Sequence, residues 1–140
     1  MRRGLTRTWS IDLDESFQAR VVDGSLQLVS PGPPRCTIWV NVWNPPEDET
    51  PDQVLAPILE DAHPHPDQQF QETGADAAEI RFASWYPEDV EGTTQWGLYA
   101  YTIRPGSYVQ AAFLCDTADE LDWALAAWRS LRFTPPDPEA

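Results

Sequence analysis

The sequence predicts an α+β domain in which an antiparallel β-sheet of six to seven strands carries two main helices packed on it. Three observations predict it. Several short runs alternate apolar and polar residues, the signature of half-buried strands. Turn chemistry joins these runs into hairpins, beginning with Asp23-Gly24 between two alternating runs. Two other stretches carry apolar residues at helical spacing behind capping signals, one in mid-chain and one near the end. Consecutive hairpins interrupted by only two helices argue for an antiparallel sheet with helices laid on it.

The elements follow in order. "TRTWSIDLD" alternates Trp9, Ile11 and Leu13 against polar neighbours and predicts a first strand. "FQARVVDGSLQLVSP" predicts a hairpin, with Phe17, Ala19 and Val21 on one face of its first strand and Leu26 and Leu28 in the second. The run "PGPP" is a break, and "CTIWVNVW" after it is apolar on both faces. Ile38, Val40 and Val42 share one side of that strand, and Trp39 and Trp43 the other, which predicts a central strand covered on both sides. In "TPDQVLAPILEDA", Thr50 is the N-cap, Pro51 opens the helix and Gln53 completes a capping box. Pro57 removes a helical hydrogen bond and predicts a kink or an early first turn, and Pro64 lies beyond the helix end. "QQFQETG" and "AAEIRFASWYP" predict two strands, and "EDVEGTT" an acidic loop. "QWGLYAYTIRPGSYVQAAFLC" predicts a long hairpin turning at Pro105-Gly106. Thr117 and Glu120 offer a second capping box, and Leu121, Ala124, Leu125 and Trp128 a buried helical stripe ending in "SLRF".

A chain of 140 residues that is 41% apolar has material for one packed core, with residues 1–134 as the domain and 135–140 as a disordered tail. No apolar run reaches the ~18–20 residues of a membrane span. The N-terminus lacks an apolar signal-peptide core, so a cytoplasmic location is expected. The net charge of −14 repels phosphate backbones and anionic membranes, which disfavours both as partners. Cys36 and Cys115 have neither zinc-site nor CxxC spacing and read as small buried hydrophobes.

Three stretches together resemble the Mog1/PsbP-like superfamily, including its DcrB-type small proteins. They are the opening "WSIDLDESFQARVVDGSLQLVS", the mid-chain helix "PDQVLAPILEDA" after an apolar strand, and the ending "LDWALAAWRSLRF". The resemblance spans roughly residues 9–133. It implies a six- or seven-stranded antiparallel sheet with helices against it. It also implies a role as a binding partner, assembly factor or secretion-associated chaperone. No residue-level site carries over from it.

The chemistry-bearing candidates are few. His63 and His65, the only histidines, stand at i and i+2 in "EDAHPHPDQQ", with Asp67 as a possible third metal ligand. A small metal-dependent hydrolase could use them, but the stretch is proline-rich and leaves a helix, so an ordinary loop is expected and no cofactor is assigned. There is no Gly-x-Ser-x-Gly elbow and no glycine-rich phosphate loop. The aromatics are the better clue: Trp39, Trp43, Trp85, Trp96, Tyr99 and Tyr101 could form an apolar face beside the sheet. Rimmed by the acidic stretches 47–52 and 88–91, such a face would hold a protein or peptide segment. A non-catalytic binding protein is therefore the first expectation. A small-molecule carrier, which would need a closed cavity, is a third.

Overall fold

The computed structural model describes residues 1–30, 32, 35–74 and 78–135. Most of the "PGPP" break and the 136–140 tail lie outside the described residues. The chain runs β1 (Arg2–Gly4), β2 (Trp9–Asp12), β3 (Gln18–Val22), β4 (Ser25–Ser30), β5 (Cys36–Trp43), α1 (Pro51–Asp61), β6 (Gln68–Thr73), β7 (Ile80–Val90), β8 (Thr93–Arg104), β9 (Ser107–Cys115), α2 (Leu121–Arg129) and β10 (Arg132–Phe133). The expected α+β class with antiparallel pairing and two helices is present. The expected single sheet is instead two. Seven strands pair in the order β3-β4-β5-β9-β8-β7-β6, and a small sheet forms in the order β1-β2-β10.

The first predicted strand belongs to the small sheet. Trp9, Ile11 and Leu13 point the inner face of that sheet into the main core, where they meet Leu28, Ile38, Phe113, Leu98 and Trp85 of the large one. Helix α2 adds Ala124, Leu125, Ala127 and Trp128 to the same core. The two buried indoles spend their N–H groups on strand hydroxyls: Trp9 Nε1 donates to Ser107 Oγ (2.9 Å) and Trp128 Nε1 to Thr102 Oγ1 (3.1 Å). An unpaired buried N–H would be costly, so these two bonds let tryptophan serve as core.

Local signals account for most elements. The Asp23-Gly24 turn has φ of 50° and 84°, both left-handed, as a two-residue hairpin turn demands. Thr50 and Gln53 form the reciprocal capping box at α1. The helix runs through Pro57 to Asp61 without a break.

Two expectations are corrected. The acidic "loop" after Tyr86 is strand: β7 continues to Val90, β8 begins at Thr93, and Glu91-Gly92 turn between them with φ of 53° and 83°. The second capping box does not form, because Thr117 makes no side-chain cap bond and a short 3-10 turn (Ala118–Glu120) precedes α2. Ala19 and Val21 do share one face, in register with Leu28 and Leu26, and both are exposed. They sit on β3, the edge strand of the large sheet.

Candidate functional site

Strand register decides which of the six candidate aromatics can act together. Across the large sheet, Ile38, Phe113, Leu98 and Trp85 are successive register partners, and one row further Cys36, Cys115 and Trp96. Trp85 and Trp96 therefore face the main core. Trp85 is 1% exposed, and its ring stacks on Trp96 at 5.4 Å. They are not part of an open face. The remaining four lie on the opposite side, which α1 partly covers. There Trp39, Ala112, Tyr99 and Ser84 form one row, Asn41, Gln110, Tyr101 and Phe82 the next, and Trp43, Tyr108, Ile103 and Ile80 a third.

All four tyrosines of the chain, Tyr86, Tyr99, Tyr101 and Tyr108, fall on this α1 side. Five of the seven tryptophans go to the other. The sorting has a physical reason: a phenol needs a partner or water for its hydroxyl, and the half-open side supplies both. Helix α1 seals one end of this side by packing Val54 and Leu55 on Phe82 and Ile103, with Tyr101 and Tyr108 at the margin. Beyond the helix, Trp43 stands 50% exposed. Its indole N–H donates to Gln110 Oε1 (3.2 Å), and Gln110 Nε2 donates to the Tyr101 hydroxyl (3.4 Å). Gln110 thus fixes one tryptophan and one tyrosine on either side of β9.

The histidine loop joins this side by stacking. His63 lies on Tyr86 at 4.1 Å between ring centroids, and Tyr86 on Tyr99 at 4.7 Å. Tyr99 can lie flat because Gly97, two residues back on the same face, has no Cβ; one placed there would be 2.7 Å from Tyr99 Cε2. His63 Nδ1 accepts from the His65 backbone N–H (3.1 Å), a bond that closes the loop on itself. His65 and Asp67 are exposed, and Asp67 uses its backbone N–H to hold the loop on Trp85 O (2.9 Å). Among the described residues no group of three or more His, Cys, Asp or Glu side chains is placed to hold a metal ion.

Acid surrounds the face. Glu88 lies beside Tyr99 and Tyr86, Asp61 near Tyr101, and Glu49 near Tyr108. Burial first, and these carboxylates second in most cases, hold all four phenols above their ordinary pKa. The sign of the linkage follows. An unfolded phenol ionises near 10.0 while the folded one keeps its proton, so the stabilisation is complete below that pH and is lost as pH climbs through the raised folded values. Urea midpoints should begin to fall above about pH 8.5, where the unfolded thiols of Cys36 and Cys115 ionise while the buried ones do not, and fall more steeply above about 10 as the phenols follow. A midpoint that holds beyond there would mean the phenols are solvated.

Cys36 and Cys115, far apart in sequence, are register partners across β5 and β9. Both are buried, form no disulfide, and have thiols pushed upward chiefly by burial. A thiolate is the reactive form, so an aromatic disulfide reagent at about pH 8 should leave the native protein unlabelled and titrate both thiols in urea. Rapid labelling without denaturant would contradict the burial.

The comparisons with known proteins bear on the fold. No family model matches the chain, and no curated protein matches it. A crystal structure from Bacteroides thetaiotaomicron VPI-5482 superposes with a TM-score of 0.70 at 12% identity, covering 91% of this chain and 45% of that one. The chain therefore spans under half the length of that neighbour. At such identity the similarity is one of fold. Among the described residues no helix is long and apolar enough to cross a membrane.

Sequence reasoning missed Tyr86 as the centre of a stack, Tyr108, and the bridging role of Gln110. Parity along β7, β8 and β9 would have found them, but only once the register was known.

Proposed function

We propose that this chain is a non-catalytic protein-binding module of the Mog1/PsbP-like type, acting in the cytoplasm in a chaperone-like, assembly or immunity-type role. The observation that carries this reading is Trp43, half exposed beside partly exposed Trp39, on a sheet side that α1 only partly covers. Large aromatic side chains anchored by a hydrogen bond and open to solvent are the groups that dominate protein interfaces. Tyr99 and Tyr101 extend the same surface, and the acidic rim favours a basic or neutral segment over nucleic acid.

The test starts from the tagged chain, recovered from its native lysate with whatever protein accompanies it, and assayed in parallel for bound metal. With that partner in hand, Trp39→Ala combined with Trp43→Ala should weaken it at least about tenfold while the unfolding midpoint stays close to wild type. Unchanged affinity in the double variant removes the aromatic face from the binding surface. Stoichiometric zinc in the absence of a partner would return attention to His63 and His65.

A further inference from the structure

At the end of this face remote from α1, a hollow of about 300 Å3 opens between Trp39 and Gln95. Leu114 contributes to its lining, with Gln27, Thr37, Arg35 and Asp116 around it. We infer that this hollow is a binding site for a neutral polyhydroxylated ring of hexose size.

The register puts Gln27, Thr37, Trp39, Gln95 and Leu114 on one side of the sheet, and Arg35 and Asp116 flank it just outside β5 and β9. Gln27 pairs with Trp39, Thr37 with Leu114, and Gln95 sits on β8 two residues before Gly97. Most of the polar groups are not used by the fold. Among the described residues, the side chains of Thr37, Gln95, Arg35 and Asp116 make no hydrogen bond or ion pair. Gln27 accepts from Arg20 Nε through its amide oxygen, and its NH2 group has no protein partner among the described residues. Convergent polar groups that the fold leaves idle, beside a tryptophan, are the ingredients of a small-ligand site.

The chemistry of the lining selects the ligand. Two amides and a hydroxyl both donate and accept, as sugar hydroxyls do, while Arg35 only donates and Asp116 only accepts. The C–H face of a pyranose suits the indole of Trp39 and the apolar Leu114. An apolar ligand would strand the amides without partners. A phosphorylated one would meet only exposed arginines, Arg35 in the lining and Arg20 behind Gln27, in a chain of net charge −14. A zwitterion would rest on Arg35 and Asp116, both exposed and therefore weak as charge partners. A neutral ring carries none of these costs, and the volume lies at the small end of ligand sites, of order one ring.

The inference stands apart from the protein-binding reading, although Trp39 borders both sites. The test is a titration of the 15N-labelled full chain, following tryptophan indole resonances, with the Trp39 signal assigned by its loss in Trp39→Phe. The probes are glucose, galactose, mannose and N-acetylglucosamine, each also as a trimer, with glycine betaine and lysine as zwitterionic controls. At least one sugar should move the Trp39 signal saturably, with a Kd on the order of millimolar. Gln95→Ala and Thr37→Val should each weaken that sugar about fivefold without changing the melting temperature. Trp43→Ala should leave it unchanged, which separates this site from the protein-binding surface. A trimer that binds more tightly than its monomer identifies a glycan as ligand, and equal affinities identify a free sugar. No saturable movement with any sugar, movement only with the zwitterions, or full affinity in both Gln95→Ala and Thr37→Val would overturn the assignment.

Discussion

Replacing Arg81 with methionine should lower folding stability by about 3–5 kcal/mol, the range for removing one partner of a buried ion pair. Glu79 is 1% exposed, and its carboxylate is clasped by two guanidinium groups. Arg81 Nη2 lies 2.9 Å from Oε1, and Arg104 Nη1 lies 3.2 Å from Oε2. Arg81 does more than neutralise charge. Its Nη1 donates to Arg129 O (3.0 Å) and its Nη2 to Leu131 O (3.2 Å), which ties the end of α2 and the lead-in to β10 back onto β7. Arg104 in turn lies over the Phe133 ring at 4.7 Å. Methionine would fill the space but remove one of the two guanidinium groups described on Glu79 and leave two carbonyls without their donor. Urea unfolding of Arg81→Met, Glu79→Gln and the double variant should give strongly non-additive costs, because one cluster is broken in each. A loss below about 1 kcal/mol in Arg81→Met would place the cluster in the weak class of solvated surface pairs.

Gly97→Val should cost about 3 kcal/mol, near the upper end of overpacking penalties, and should also dismantle the aromatic stack. A Cβ at this position would stand 2.7 Å from Tyr99 Cε2 and 2.9 Å from Cζ, so the ring must leave its place. Tyr99 cannot tilt alone, because Tyr86 lies on it and His63 on Tyr86. The near-ultraviolet circular dichroism of the tyrosines should change along with the unfolding midpoint. Binding at the aromatic face should weaken in the same variant. An unaltered spectrum with wild-type stability would show that the ring has room to move, and Gly97 would then be only a tolerated glycine. Gly97→Ala should fall between the two, since it adds one methyl against the same ring atoms.

The candidate site was only partly legible. Trp39, Trp43, Tyr99 and Tyr101 were identified as aromatics of one surface, and they do share a side of the sheet. Trp85 and Trp96 were grouped with them on composition, yet one residue of parity sends them to the core, where they stack on each other. Aromatic content is visible along the chain. The face each ring occupies depends on register, and in a strand a shift of one residue reverses every side chain. His63 shows the same dependence: its stretch reads as an ordinary loop, and only the way α1 ends over β7 brings its ring onto Tyr86.

What the sequence by itself determined are the features whose cause is local. The Asp23-Gly24 and Pro105-Gly106 turns, the Thr50–Gln53 cap and the alternation in β2 act within a few residues, so they could be read without any fold. The tertiary structure decided the rest. It put β2 into a separate sheet with β1 and β10, and it extended β7 and β8 through what composition marked as an acidic loop. It also set Cys36 opposite Cys115 and gathered Glu79 with two arginines. Each of these depends on which strands pair and which faces are covered. Burial and long-range pairing act between residues that the chain order keeps apart, so no local pattern records them.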